Sequence, residues 1–169
     1  SLISPQRSPD GKQLAFNSSR NDHSFIGIYD LATEQLRYVA PTIDRDSYPR
    51  WSPDGKKLAF VRQPTRGTAR RVQGEEQPDP WAIWVVDAAT LKAKEVWRSG
   101  NKLDDSLPRW AGSDVIQWAA DERIVFRSEM DGWMHLYAIS ANGGEAKPLT
   151  TGKCEVEHVT FTPERRDII

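Results

Sequence analysis

Ser8-Pro9-Asp10-Gly11-Lys12-Gln13-Leu14-Ala15-Phe16 returns as Ser52-Pro53-Asp54-Gly55-Lys56-Lys57-Leu58-Ala59-Phe60, a shift of 44 residues. Within the phrase, proline presets one backbone angle, aspartate offers a side-chain acceptor, and glycine is free to take a positive φ, which together specify a tight turn. The apolar run that follows reads as a buried strand. A turn-and-strand phrase that recurs at this period signals a repeat architecture.

Degraded copies extend the array. Asp46-Ser47-Tyr48-Pro49-Arg50-Trp51 returns as Asp105-Ser106-Leu107-Pro108-Arg109-Trp110, followed by an insertion from Ala111 to Trp118. Ala119-Ala120-Asp121-Glu122-Arg123-Ile124-Val125-Phe126 then resumes the phrase with Glu122 where the glycine stood, and Phe161-Thr162-Pro163-Glu164-Arg165-Arg166-Asp167-Ile168-Ile169 begins a fourth copy. The remainder of each unit recurs as well. Ile28–Glu34, Val85–Leu91 and Ala138–Gly144 each place a short apolar strand before a turn of small and polar residues, and a further strand follows at Gln35–Ala40, Ala93–Trp97 and Ala146–Thr150. The first strand of a unit is expected to end at Trp51 or Trp110, and the second to run over Leu58–Val61.

About four strands per unit of 40 to 60 residues describe the blades of a β-propeller, in which each small sheet needs a neighbour to cover its faces. The expected fold is therefore all-β: a single propeller segment over 1–169, with blades at 1–43, 44–103 and 104–153 and the start of a fourth at 154–169. The array begins and stops within a repeat, which reads as a piece of a longer protein. Its open blade faces are expected either to associate with another copy or to leave the isolated piece marginally stable.

Of the 169 residues, 38% are hydrophobic, enough for a core, and seven are tryptophans. The formal charge of −1 offers no basic footprint for nucleic acid. No apolar run is long enough to span a membrane, and nothing at the start of the chain reads as a secretory leader. The single cysteine, Cys154, excludes an internal disulfide. No G-x-G-x-x-G or P-loop pattern occurs, and no cofactor is expected.

The phrase Trp51 to Phe60 resembles the propeller repeat (WD40-like, PD40) of the TolB-like and prolyl oligopeptidase-like families. Phe126-Arg-Ser-Glu-Met-Asp-Gly-Trp-Met-His-Leu-Tyr137, Asp79-Pro80-Trp81-Ala82-Ile83-Trp84-Val85-Val86-Asp87 and Glu155-Val156-Glu157-His158-Val159 resemble the N-terminal propeller of S9-type serine peptidases, the prolyl oligopeptidase and dipeptidyl peptidase IV group. The resemblance covers essentially the whole chain. It implies a propeller that controls access and positions peptide substrates, joined to a C-terminal α/β-hydrolase domain carrying Ser, Asp and His. No glycines here are spaced as a G-x-S-x-G elbow requires, so no residue of the chain, Ser52 and His158 included, is assigned to a catalytic triad. The alternative is a TolB-like propeller that binds proteins and has no hydrolase partner.

Dipeptidyl peptidase IV relatives hold the substrate's free amino terminus with an acidic pair in the propeller, since two carboxylates fix an ammonium group. The candidate here is Glu75-Glu76, in the arginine-rich segment from Arg62 to Pro80 that also holds Arg66, Arg70 and Arg71; the family motif around that pair is not matched, and the default reading is a solvated loop between the second and third strands of a blade. Long connections of this kind are more often functional than short ones, so contact with substrate or hydrolase domain is expected here first. Cys154, Val156 and His158 would share one strand face, but two ligands make no metal site. His135, just past the Asp131-Gly132 turn signal, is expected to pack or hydrogen-bond within its blade. Asp104-Asp105 lacks the oxygen series of a calcium loop.

Overall fold

The computed structural model describes residues 2–65, 76–108 and 115–168. Its strands fall into three antiparallel meanders of four. The first comprises β1 (Leu2–Arg7), β2 (Gln13–Ser19), β3 (Ser24–Asp30) and β4 (Leu36–Tyr38). The second comprises β5 (Arg45–Trp51), β6 (Lys57–Gln63), β7 (Ala82–Asp87) and β8 (Ala93–Arg98), and the third β9 (Ile116–Ala119), β10 (Arg123–Ser128), β11 (His135–Ser140) and β12 (Lys147–Pro148). A parallel bridge between Ser24 and Arg45 joins the first two meanders at their edge. The described chain is an open, partial propeller rather than a closed ring.

The doubled phrase builds the same turn twice. Gly11 and Gly55, at φ +72° and +71°, donate their N–H groups to Ser8 O and Ser52 O at 2.9 Å. Ser8 and Ser52 donate Oγ–H to Asp10 and Asp54 Oδ1 at 2.7 Å, and those carboxylates accept the N–H of Lys12 and Lys56. The third copy is one residue shorter, and Asp121 and Glu122 both take left-handed φ values, as the tightest hairpin turns require. In the fourth, Arg165 sits in the glycine position at φ +56° and donates N–H to Thr162 O at 2.8 Å, while Phe161 and Ile168 form the bridge that opens the next unit.

One expectation needs correcting. The first strand of the third meander is Ile116–Ala119, inside the stretch read as an insertion. Arg109 and Trp110 lie outside the described residues. Trp118, one residue ahead of its hairpin as Trp51 is, takes the Trp51 role: its indole N–H donates to Arg50 O at 2.7 Å, as that of Trp51 donates to Gln6 O at 3.0 Å. The residues before it, Leu103–Asp105, form one 3-10 turn, with Asp105 Oδ2 accepting Lys102 N–H at 2.9 Å. Residues 154–158 are likewise not a strand. Cys154 is exposed and donates to Thr151 O, Val156 N–H donates to Met134 O, and His158 is exposed.

Alternation along the strands sends one set of side chains into each gap between sheets. Between the first and second meanders lie Ala15, Ile26, Ile28, Val39, Leu58 and Phe60; between the second and third lie Ile83, Val85, Ile116, Ile124 and an aromatic group of Trp81, Trp97, Phe126 and Tyr137. The far side of the third meander carries Ala119, Val125 and Leu136, partly covered by Val156, Phe161 and Ile168. Polar contacts tie sheet to sheet, among them the Lys57–Glu122 ion pair and Lys94 Nζ donating to Asn142 O at 2.9 Å.

Candidate functional site

The Ser-Pro-Asp-Gly turns occupy one end of the sheets, and the connections that follow β2, β6 and β10 occupy the other. At this second end the connection before β7 meets the segment before β9. Ser106 Oγ accepts Asp79 N–H at 3.0 Å and Leu107 N–H donates to Asp79 O at 3.0 Å, so Glu76 and Gln77 face Asp104 across a hollow of about 290 Å³. The third wall is Glu129, just past β10, in a turn closed by Gly132 N–H on Glu129 O at 2.7 Å, with Gly132 at φ +89°. Burial, then the carboxylates of Glu155 and Asp104, hold the Glu129 carboxyl above its ordinary range. The hollow therefore concentrates negative charge contributed by three separate connections.

Of the sequence candidates, Glu75 lies outside the described residues, as do Arg66, Arg70 and Arg71. Glu76 is exposed and lines this hollow. Its acidic neighbours there are Asp104 and Glu129, which no local spacing linked to it. The only available signal was that each stands in a connection at the same end of its sheet.

The remaining candidates are occupied by structural roles. Ser52 is buried, and its hydroxyl both donates to Asp54 and accepts Lys57 N–H at 2.9 Å, which commits it to its turn. His135 is fully buried within the third meander, where its ring nitrogens lie 3.0 Å from Thr150 Oγ1 and from Gly152 O. Among the described residues, no three His, Cys, Asp or Glu side chains are grouped as a metal site. No helix of the described residues is long and apolar enough to cross a membrane.

The sequence reading missed a buried pair close to this end. Asp46 at the head of β5 accepts Arg62 Nε and Nη2 at 2.7 and 2.8 Å. The Arg62 guanidinium lies 4.7 Å from the Trp84 ring centre, and it also donates to Ala40 O. Desolvation pushes the Asp46 carboxyl upward, against the pull of Arg62. Asn17 Nδ2 and Ser24 Oγ donate to Asp46 O, so the pair pins the first meander to the second beneath the connections that form the site.

Residues 1–169 match the family model of the TolB beta propeller domain (PD40). Dipeptidyl-peptidase 5 of Porphyromonas gingivalis is 28% identical over 156 residues, which is 86% of this chain and 20% of that protein. The chain thus spans about a fifth of that relative's length. TolB from Acinetobacter baumannii superposes with a TM-score of 0.66 at 20% identity, over 99% of this chain and 37% of that one. The acylaminoacyl peptidase of Pyrococcus horikoshii does so with a TM-score of 0.61 at 19% identity, over 92% and 25%. At these identities the two structures support the fold alone. Together with the family match, the relatives tie the chain both to peptidase propellers and to TolB.

Proposed function

Since the chain belongs to the TolB-type β-propeller family over its whole length, we propose that it is the propeller segment of a prolyl oligopeptidase-family serine peptidase, restricting access and positioning peptide substrates. The observation that carries this reading is the hollow of Glu76, Asp104 and Glu129. Carboxylates drawn from three connections suit a peptide's terminal ammonium group, and a partly desolvated setting strengthens that attraction. The likeness to a dipeptidyl-peptidase supports it. Hydrolysis itself would fall to a serine, a histidine and an aspartate in an α/β-hydrolase domain of the intact protein.

The fluorophosphonate reaction of the intact protein tests the enzyme class: covalent labelling of one serine is expected, and absence of labelling removes the peptidase reading. Glu129→Gln in the same protein should raise KM for peptides with a free amino terminus about tenfold, and leave N-acetylated peptides unchanged. The second reading is a TolB-like propeller that binds proteins without a hydrolase, favoured by the superposition on TolB. It predicts no labelled serine. Leu31, Leu36 and Tyr38 are exposed on the first meander, and the same proposal makes that face the place where a second copy would associate, a dimer that sedimentation would detect.

A further inference from the structure

On the face of the second meander turned toward the third, four side chains hold buried atoms with no hydrogen-bond partner: Arg45 Nε and Nη2, Ser47 Oγ, Gln63 Nε2 and Trp81 Nε1. The strand register puts them on one face. Ser47 stands opposite Val61 and Arg45 opposite Gln63 in the β5–β6 pair, and residues directly opposite share a face. Val61 and Trp81 belong to the core that also holds Ile116, Trp118 and Phe126 of the third meander. All four stand at the acidic end of the sheets, where β5 begins, β6 ends and the chain enters β7. Arg45 Nη2 lies 3.6 Å from Asp79 Oδ1, an ion pair too long to be a hydrogen bond.

A polar atom left unpaired in dry protein forfeits the bond it would make to water, so the closed packing is disfavoured here and a parting of the sheets would restore those bonds. The neighbouring joints are fastened differently. Toward the first meander at this same end, Arg62 pairs with Asp46 and donates to Ala40 O, and Asn17 and Ser24 donate to Asp46 O; Asn17 Oδ1 and Trp84 Nε1 are the atoms left unpaired there. Toward the third meander at the opposite end, the Trp118 indole donates to Arg50 O at 2.7 Å and Lys57 pairs with Glu122. Like charge acts in the same direction as the unpaired donors. The bonds of Asp79 with Ser106 and Leu107 tie the connection that carries Asp104 to the second meander, whereas Glu129 follows β10 of the third, and the Asp104 carboxylate is among the causes that raise the Glu129 carboxyl.

We propose that the seam between the second and third meanders is a hinge: it opens at the acidic end and stays shut at the end that bears the Ser-Pro-Asp-Gly turns. Opening brings water to Arg45, Ser47, Gln63 and Trp81 and carries Glu129 away from Glu76 and Asp104. The hollow therefore has a narrow and a wide form, exchanging by a local opening that needs less free energy than global unfolding. The hinge rests on the unpaired atoms and stands whether or not the hollow takes an amine.

Hydrogen exchange of the indole N–H groups, followed by NMR on the chain, tests the hinge, because Trp81 and Trp118 mark the two ends of one seam. The Trp81 N–H is fully buried and unbonded, and that of Trp118 is buried and bonded across the seam. Trp81 should exchange about tenfold faster or more, with a rate that barely responds to low urea, since the opening exposes little surface. Gln63→Leu and Ser47→Ala each remove an unpaired polar atom from the closed form and should slow Trp81 exchange about threefold or more. Thermal melting confirms that each variant is folded, and Ser47→Ala alone decides the outcome if Gln63→Leu is not. Trp81 exchange less than about tenfold faster than that of Trp118, or failure of a folded variant to slow it, would each overturn the proposal.

Discussion

Two glycines show how differently a single residue is constrained in this fold. At Gly55 the demand is conformational: φ is +71°, and the nearest atom to an added Cβ is Pro9 Cδ at 3.5 Å, an ordinary contact. At Gly27 the demand is spatial, because an added Cβ would stand 2.7 Å from Cζ of Phe16, its partner on the neighbouring strand. Gly27→Ala must push the ring out of its place, and overpacking of this kind costs about 1–3 kcal/mol; urea denaturation should show that loss without a change in m-value. The turn aspartates bring a pH dependence. The hydrogen bond from Ser52 Oγ–H, then that from Lys56 N–H, hold the Asp54 carboxyl below its ordinary value of 3.8, as those from Ser8 and Lys12 do for Asp10. A lowered folded-state pKa stabilises the fold above pH 3.8 and loses that contribution as pH falls through the folded value. Melting temperature should therefore fall with acidification below pH 3.8, and less steeply in Asp54→Asn.

At the scale of strands and turns, the doubled phrase made two hairpins legible because proline, aspartate and glycine each enforce one feature of the turn. The shortened third copy was legible too, down to Glu122 in the glycine position. The first strand of the third meander was misplaced by the spacing alone: Arg109-Trp110 repeats the letters of Arg50-Trp51, whereas the strand that pairs with β10 is Ile116–Ala119, from which the Trp118 indole reaches the neighbouring sheet. The Asp46–Arg62 pair was hidden for a related reason, since its partners are brought together by antiparallel pairing of β5 with β6 rather than by any motif. Removing Asp46 strands a buried guanidinium, so Asp46→Ala should destabilise the chain by about 3–5 kcal/mol, measured by denaturant unfolding. No spacing in the sequence groups Asp104 and Glu129 with Glu76, because they come to line one hollow only after two hairpins and a 3-10 turn have folded.

Across the whole molecule, connections from separate parts of the chain bring Glu76, Asp104 and Glu129 to one hollow at one end of the sheets. This gives the acidic end its own pH response. Burial, Glu155 and Asp104 raise the Glu129 carboxyl above the ordinary 4.5, so it takes up a proton earlier than a solvated glutamate as pH falls. Affinity for a small primary ammonium ligand at this hollow should accordingly be full well above that pKa, and decline on acidification before any ordinary glutamate would titrate. In Glu129→Gln the affinity should be lower and that step absent, a comparison that calorimetry at several pH values provides. The indole contacts described for the inner strands bear on a longer timescale than any of these. Trp51 reaches back to Gln6 and Trp118 to Arg50, so the second unit carries both a donor for the unit before it and an acceptor for the unit after. A gene segment copied whole brings both halves of that joint with it, and the array can lengthen by duplication without a new seam having to evolve.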